Sequence, residues 1–372
     1  MKFPAPAAAV LGLAAFCLCA PAAALAAKTA IVDALGRKVA IETPVRRVAV
    51  NFNFEEFTAV AGMEGWAKVV GISRAPFAGW RPAIFSRYAA VIPNLQDMAD
   101  LGHTDDNTFS IEKVISLKPD VLFMSEWGWK GIEAHRPQLE AAGVPVVVID
   151  YNAQLLERHL ASTRALGKAM GQEARAEELA RLYEAKYRDT MERVARARPA
   201  RKPVVYVELG QAGADVVGNS YSGTMWGKIV TQLGATNLAD GKLPGPWGPV
   251  NAEAVIADDP DHVFIAGSSW GGKPKAVKTG YDATPETTRA TLAPYAARPA
   301  WSGLKAVRSG EVHAIEHGLS RSLPDFVATR YIAKQLYPAA FADVDPAAEW
   351  ADYHARFLPV PFSGTWFARL KP

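Results

Sequence analysis

Short apolar runs alternate along the chain with longer stretches that carry one apolar face. The runs predict buried strands at 47–50, 69–72, 121–124, 144–149, 204–207, 263–266 and 311–315. Because helical periodicity lies between these runs, we expect mostly parallel sheets with helices on both faces. Ahead of them, two alternating runs around Leu35-Gly36 predict a β-hairpin within residues 29–41.

One segment of the chain occurs twice. Residues 111–123 (IEKVISLKPDVLF) return as residues 252–264 (AEAVIADDPDHVF), with Glu, Val-Ile, Pro-Asp and Phe kept in register. Each copy predicts a short helix, a Pro-Asp stop and a buried parallel strand. Two copies so far apart are not a solenoid period, so the repeat predicts two similar α/β lobes with a cleft between them.

A helical segment separates the two predicted lobes. Residues 155–170 and 172–198 lack strand patterns and are rich in Ala, Glu, Leu and Arg. The second stretch predicts a helix of about 25 residues, roughly 40 Å long, which is enough to bridge two lobes. A surface helix within one lobe is the alternative. We expect an N-terminal lobe over 27–152, a helical linker over 153–200 and a C-terminal lobe over 201–372.

Residues 1–26 have the pattern of a cleavable signal peptide. Lys2 precedes an apolar run over 7–20 that is too short for a relaxed membrane span, and Ala24-Leu25-Ala26 has the small-x-small form of a cleavage site. We therefore expect a periplasmic product, with a membrane anchor as the alternative. Cys17 and Cys19 lie inside this segment, so the mature chain would have no disulfide, thiolate metal site or cysteine nucleophile.

Charge and motifs argue against several function classes. The net charge is +3 and basic residues are mixed with acidic ones, so no nucleic-acid-binding stripe is predicted. The chain has no dinucleotide-binding glycine fingerprint after its first core strand, no P-loop and no Gly-x-Ser-x-Gly nucleophile elbow. A secreted α/β enzyme is therefore less favoured than a binding protein.

Five motifs together carry a family resemblance. They are the N-terminal DALGRKVAIETPVRRVAV, IEKVISLKPDVLF, the helical linker, WSGLKAVRSGEVHAI and a helix near the C-terminus. In this order they resemble the periplasmic substrate-binding proteins of iron-siderophore, haem and cobalamin ABC importers. The resemblance implies an α/β fold of two Rossmann-like lobes joined by a single long α-helix, with little domain closure and no cofactor or enzymatic activity. It also implies a monomer that delivers its ligand to a permease dimer in the inner membrane.

Loops after the strands are expected to build the ligand site, because ligands of open α/β sheets bind at the carboxyl ends of the strands. Tryptophans in exposed loops are costly unless a ligand covers them, and arginines can neutralise an anionic metal chelate. For any single side chain, packing in the core or contact with solvent is the alternative. The expected cleft residues are Asn51, Phe52, Asn53, Trp80, Arg81, His103, Trp127 and Trp129 in the first lobe and Tyr221, Trp247, Trp270, His317 and Arg321 in the second.

Histidines raise the alternative of direct metal ligation. His103 and His317 are expected to approach the cleft from opposite lobes, where imidazole can ligate iron or nickel. Without a third ligand at metal-site spacing, polar contact with the ligand is the favoured role. The other five histidines have no common spacing along the sequence that would indicate a shared site, so each is expected to have a local role. They are His135, His159, His262, His313 and His354. The predicted cargo is a ferric siderophore or similar chelate, with haem, a corrinoid, an oxometalate or a nickel complex as alternatives.

The repeat also implies a docking role. In the family that the chain resembles, an acidic residue on each lobe pairs with permease arginines, and the matching positions are Glu112 and Glu253. Charge complementarity of this kind orients partners and speeds their encounter. The alternative is that each glutamate only stabilises the first turn of its helix.

Overall fold

The computed structural model of the chain describes Met1 and residues 27–197 and 199–371. The predicted signal peptide over residues 1–26 falls almost entirely outside these residues. Within the described part of the chain, none of the helices combines the length and the apolar character that crossing a membrane requires.

The N-terminal lobe opens with the expected hairpin and continues as alternating strands and helices. The hairpin strands pair antiparallel, with Thr29 opposite Ile41. The elements are β1 (Ala27–Val32), β2 (Lys38–Thr43), β3 (Val48–Val50), α1 (Phe54–Trp66), β4 (Val69–Ile72), α2 (Pro82–Ala89), β5 (Ala99–Asp100), α3 (Ile111–Leu117), β6 (Val121–Ser125), α4 (Glu126–Gly131), α5 (Arg136–Ala141) and β7 (Val146–Ile149).

Two helices then connect the lobes. They are α6 (Leu156–Met170) and α7 (Glu173–Ala197), separated by Gly171, whose φ of 69° ends the first helix in a left-handed cap. The 25 residues of α7 confirm the long linker helix that the composition predicts.

The C-terminal lobe repeats the alternation. Its elements are β8 (Val204–Leu209), β9 (Asn219–Tyr221), α8 (Met225–Gln232), β10 (Thr236–Asn237), β11 (Trp247–Pro249), α9 (Ala252–Asp258), β12 (His262–Gly267), α10 (Pro285–Ala296), α11 (Lys305–Arg308), β13 (Val312–Glu316), α12 (Asp325–Leu336), α13 (Pro346–Phe357) and β14 (Phe367–Arg369). A 3-10 turn over His317–Arg321 directly follows β13.

The two sheets have matching strand orders, which confirms the two-lobe α/β prediction. The first runs β5-β4-β3-β6-β7 with parallel neighbours, and the second runs β10-β8-β12-β13 with the same parallel arrangement. An antiparallel edge strand, β14, is added to the second sheet. Strands β3, β6 and β7 of the first sheet are buried along their whole length, as their continuous apolar sequences predict.

The repeated segments adopt equivalent local structures. The helices α3 and α9 are each seven residues long, each begins with a polar side-chain cap and each ends in a residue with positive φ, Lys118 or Asp259. The aspartate of each Pro-Asp pair then accepts a backbone N–H group at the start of the neighbouring strand in the sheet. Asp120 accepts from Arg47, just before β3, at 2.9 Å, and Asp261 accepts from Val204 of β8 at 2.8 Å. The Pro-Asp motif therefore anchors each helix to its sheet.

A continuous apolar core fixes the lobes relative to each other. It includes Val50 of β3, Ile149 of β7, Leu179 of α7, Phe264 of β12 and Val327 of α12. Helix α13 contacts α1 of the first lobe as well as α12 of the second. Because apolar packing is dense and directionally specific, a core shared in this way opposes large hinge motion between the lobes.

A buried charged cluster joins the linker to the C-terminal lobe. His159 Nε2 of α6 lies 3.2 Å from Asp325 Oδ2, and the His159 ring stacks on Tyr183. Gln154 donates to Asp325 and to the carbonyl of Ser320. Burial alone would lower the pKa of His159, but the charge of Asp325 outweighs it and the pKa is raised above 6.5.

We expect the stability contributed by this ion pair to depend on pH. It is fully present below about pH 6.5, the unfolded-state pKa, and is lost as the pH rises through the higher folded-state pKa. Asp325→Asn should therefore lower the free energy of unfolding by about 3 kcal/mol or more at pH 6 and by less at pH 9.

Urea unfolding followed by circular dichroism measures both values. The matched control is Asp352→Asn, which removes an exposed carboxylate paired with Arg356 and should cost less than about 1 kcal/mol at either pH. An equal loss at pH 6 and pH 9 for Asp325→Asn would contradict the assignment.

Candidate ligand-binding cleft

Loops that follow the carboxyl ends of the strands in one lobe contact the corresponding loops of the other lobe. Asn53, which follows β3, donates to the carbonyl of Arg321 after β13 at 3.4 Å. The Trp80 carbonyl of the first lobe accepts the N–H of Gly271 of the second at 3.2 Å. The carboxyl ends of β3 and β13 thus face one space, as the general rule for open α/β sheets requires.

Phe52 lies at the centre of this interlobe space. It is 2% exposed. The Arg81 and Arg321 guanidinium carbons lie 5.8 and 5.3 Å from its ring centroid, and Trp127 meets it edge-on at 4.5 Å. An arginine side chain from each lobe therefore lies near the Phe52 ring, and the quadrupole of the ring attracts both positive charges.

Arg81 has a counter-charge inside the protein. Its Nη1 and Nη2 atoms donate to the two carboxylate oxygens of Glu55 at 2.7 and 3.2 Å. Burial opposes the charged form of Arg81, but Glu55 and then Glu316 outweigh that penalty and the pKa is raised. The bidentate pair fixes the plane of this guanidinium.

Arg321 differs from Arg81 because its charge is not paired. Among the residues that the structure describes, none accepts a hydrogen bond from its side chain, and its Nε atom is buried without a partner. Burial, followed by the charge of Arg81, lowers the pKa of Arg321 to about 10. Arg321 is half-buried, with its Nε atom enclosed, and a guanidinium with free donors in such a place is a group that an anionic ligand would satisfy.

Two further carboxyl groups border the same cavity. Glu56 of α1 accepts the N–H of Leu323 at 3.0 Å across the lobes, and Glu316 ends β13 with its Oε1 atom buried and unpartnered. Burial raises the pKa of Glu316, and burial together with the neighbouring Glu55 raises the pKa of Glu56 to about 7. Near neutral pH Glu56 therefore carries only part of a negative charge.

The two predicted cleft histidines present neutral imidazoles. His103 is buried, its Nδ1 accepts the N–H of Asp105 at 3.3 Å, and its Nε2 has no partner. His317 Nδ1 accepts the indole N–H of Trp226 at 3.2 Å. Burial is the main cause of the lowered pKa of both groups. In each ring Nδ1 is the acceptor, so Nε2 carries the proton and is a hydrogen-bond donor.

Several other predicted residues surround the histidines. Trp80 packs edge-on against His103 with centroids 5.0 Å apart. Tyr221 and Trp270 lie 5.9 and 5.8 Å from the ring of His317.

Three predicted positions have different surroundings. Asn51 is fully buried and donates to Ser73, linking the ends of neighbouring strands. Trp129 belongs to a core cluster on the other face of the first sheet, between the guanidinium groups of Arg37 and Arg136. Trp247 is 59% exposed on β11, in register with Tyr221.

The interlobe cavity also contains residues outside the predicted set. Glu55, Glu56, Glu316 and Tyr281 all line it. Glu55 and Glu56 lie only two and three residues after Asn53. Their closeness to the predicted Asn51–Asn53 loop could have identified them as cleft residues. Tyr281 comes from the connection between β12 and α10, whose path the hydrophobic pattern does not define.

The raised pKa of Glu56 predicts a second pH dependence. Between its ordinary value of 4.5 and about 7, the native state holds a proton that the unfolded chain has lost, so stability falls as the pH rises through this window. Glu56→Gln keeps an acceptor for Leu323 but cannot ionise. It should raise the free energy of unfolding at pH 8 by on the order of 3 kcal/mol and change it little at pH 4.

Chemical denaturation at the two pH values measures this effect. Glu64→Gln, an exposed change in the same helix, serves as the control and should leave stability nearly unchanged at both. A Glu56→Gln effect that is independent of pH would contradict the prediction.

Comparison with known proteins identifies the family to which this chain belongs. Residues 87–317, more than half of the chain, match the family model described as periplasmic binding protein. Among curated relatives, the molybdate-binding protein MolA of Haemophilus influenzae is 23% identical over 353 residues, covering 88% of this chain and 90% of MolA. The vitamin B12-binding protein of Salmonella typhimurium is 27% identical over 195 residues, covering 52% of this chain and 67% of that protein.

A solved structure supports the same placement. The TroA-like periplasmic binding protein FepB from Veillonella parvula has a TM-score of 0.86 and 33% identity, covering 92% of this chain and 99% of that one. These relatives are solute-binding proteins rather than enzymes. With its two parallel α/β lobes and long linking helix, the chain belongs to the periplasmic binding protein family, as a TroA-like solute-binding component of ABC importers.

Proposed function

We propose that this protein captures an anionic metal chelate of the ferric-siderophore type in the interlobe cleft and delivers it to a membrane permease. The observation that carries the proposal is the unpaired guanidinium of Arg321 beside the paired one of Arg81. Catecholate, hydroxamate and carboxylate oxygens are suitable acceptors for its free donors.

The polar groups near Arg321 favour a ligand rich in acceptors. The Nε2–H groups of His103 and His317 add hydrogen-bond donors, and His103 Nε2 is buried without an acceptor. Trp80, Trp127 and Trp270 supply aromatic surface for the organic part of a chelate. We therefore assign these histidines to ligand contact rather than to direct metal ligation.

A small oxometalate is the second candidate. The cavity bordered by Arg81, Arg321 and Glu316 encloses about 30 Å³, which suits a few waters or a compact anion more readily than a siderophore. The similarity to a molybdate-binding protein over 88% of the chain points in the same direction. Haem, a corrinoid and a nickel complex remain further alternatives within the proposed binding role.

The cargo class can be tested through tryptophan fluorescence. We expect saturable quenching at sub-micromolar concentration by either a ferric siderophore or molybdate, in a panel that also contains haemin, cobalamin and nickel complexes. Trp127 and Trp270 report from the two lobes, since ligand would approach both. Saturation by a ferric chelate favours the first candidate and saturation by molybdate the second. If no metal complex or oxometalate binds, the proposed function is wrong.

The role of Arg321 can be tested separately. Arg321→Ala should weaken binding of the anionic ligand about 10-fold to 100-fold, because a hydrogen-bonded charge contact is worth about 1.5–3 kcal/mol. Arg46→Ala is the control, since this exposed arginine lies before β3 at the opposite end of the strand from the cleft. The two affinities are measured by the same titration with the ligand that binds wild type. An unchanged affinity in Arg321→Ala would contradict the anion-binding role.

We further propose that Glu112 and Glu253 dock the loaded protein onto the permease. Both are exposed and each is the second residue of its matched helix. Equivalent carboxylates on two pseudo-symmetric lobes suit a two-fold permease dimer. The signal-peptide pattern of residues 1–26 supports secretion to the periplasm, and we propose that the mature protein acts there as a monomer.

Charge reversal tests the docking surface. The double variant Glu112→Arg and Glu253→Arg should abolish ligand uptake by cells while leaving affinity in the purified protein within about twofold, because both side chains lie on outer helices. The matched control reverses Glu140 and Glu286, one exposed glutamate in each lobe. Loss of ligand binding in the docking variant, or equal loss of uptake in the control, would overturn the assignment.

A further inference from the structure

A second cluster of metal-ligating side chains lies at the end of the C-terminal sheet opposite the cleft. His262 opens β12, and Glu311 and His313 flank the first residue of β13. The two strands are parallel neighbours, and the N–H of Val263 donates to the carbonyl of Glu311 at 2.9 Å. The sequence pattern predicts only local roles for both histidines, but parallel pairing brings these three side chains together.

The ligand atoms have the spacing of a metal site. Glu311 Oε2 lies 3.5 Å from His262 Nδ1 and 3.0 Å from His313 Nε2. All three atoms lie within 4.8 Å of one another. A tetrahedral zinc ion with nitrogen ligands at about 2.0–2.1 Å separates neighbouring ligand atoms by about 3.3 Å. Two of the three separations are therefore already close to the required value.

In the metal-free arrangement Glu311 Oε2 and His313 Nε2 are hydrogen-bonded to each other, so a cation would replace the proton between them. His262 Nδ1 is buried and has no hydrogen-bond partner. Glu311 uses its Oε1 to pair with Arg369, which leaves Oε2 facing the two imidazoles.

The surroundings orient the ligands and leave an approach. His313 Nδ1 lies 3.0 Å from the Tyr331 hydroxyl, which can accept the Nδ1 proton when Nε2 ligates a metal. His262 borders an open surface groove with Arg201, Asp261 and Lys305. Arg201 is paired with Asp261 and Lys305 with Asp259, so carboxylates already offset these two cations.

We propose that His262, Glu311 and His313 bind a zinc ion that clamps β12 to β13. Two imidazoles and one carboxylate are a recognised zinc donor set with a fourth position open to water. This site is separate from the cleft and does not depend on the identity of the transported ligand.

The test is calorimetric titration of the chelator-treated protein with zinc chloride alone. Wild type should bind one zinc ion at this site, and His262→Gln should weaken the affinity at least about tenfold. His103→Gln, in the cleft, and His135→Gln, an exposed histidine, are the matched controls and should leave it unchanged. Failure of wild type to bind zinc, unchanged affinity in His262→Gln, or loss in His103→Gln would overturn the proposal.

Two further measurements separate metal ligation from a structural role. Cobalt(II) in place of zinc should give the intense visible absorption of a tetrahedral site in wild type, and His262→Gln should lose it. Tyr331→Phe, which removes the positioning hydroxyl, should weaken zinc binding about tenfold or more. Each variant is compared with its own metal-free midpoint, because Tyr331→Phe also removes a hydrogen bond to the buried His313. Zinc should raise the unfolding midpoint of wild type by more than that of either variant. An octahedral cobalt spectrum in wild type would contradict the proposed geometry.

Discussion

The shared apolar core is the constraint on which the rest of this structure depends. Side chains from β3, β7, α7, β12 and α12 belong to one cluster, and α13 packs on helices of both lobes. Dense packing of this kind has few alternative arrangements, so the loops beyond the two sheets are held at a nearly fixed separation. The cleft is therefore preorganised, and binding energy is not consumed in ordering it.

For the proposed function, a preorganised cleft matters because it preserves a charge imbalance that an anionic ligand would relieve. Arg81 has Glu55 as its partner, whereas Arg321 has none among the described residues, although both guanidinium groups lie near the ring of Phe52. The pKa of Glu56, raised to about 7 by burial and the neighbouring Glu55, reduces the negative charge available near Arg321. Arg321 is half-buried, and the rigid core keeps its guanidinium at the cleft. An anionic ligand can supply the missing charge.

The C-terminal sheet has candidate ligand-binding side chains at both ends of its strands. Its carboxyl end presents His317 and Arg321 to the cleft, while its amino end brings together His262, Glu311 and His313. The two groups are separated by the length of β13, a strand that is buried throughout. A metal at the amino end would therefore reinforce the pairing of β12 with β13 without entering the ligand site.

The sequence alone determined the two-lobe α/β architecture, the long helix over 173–197 and the repeated helix, Pro-Asp and strand unit, because hydrophobic periodicity and helix stops are local signals. It also identified loops that contain Phe52, Arg81 and Arg321. Only the tertiary structure decided that Glu55 pairs with Arg81, that Trp129 packs away from the cleft and that His262 meets His313. Those relationships depend on strand pairing and side-chain packing between distant segments, and no local pattern encodes them.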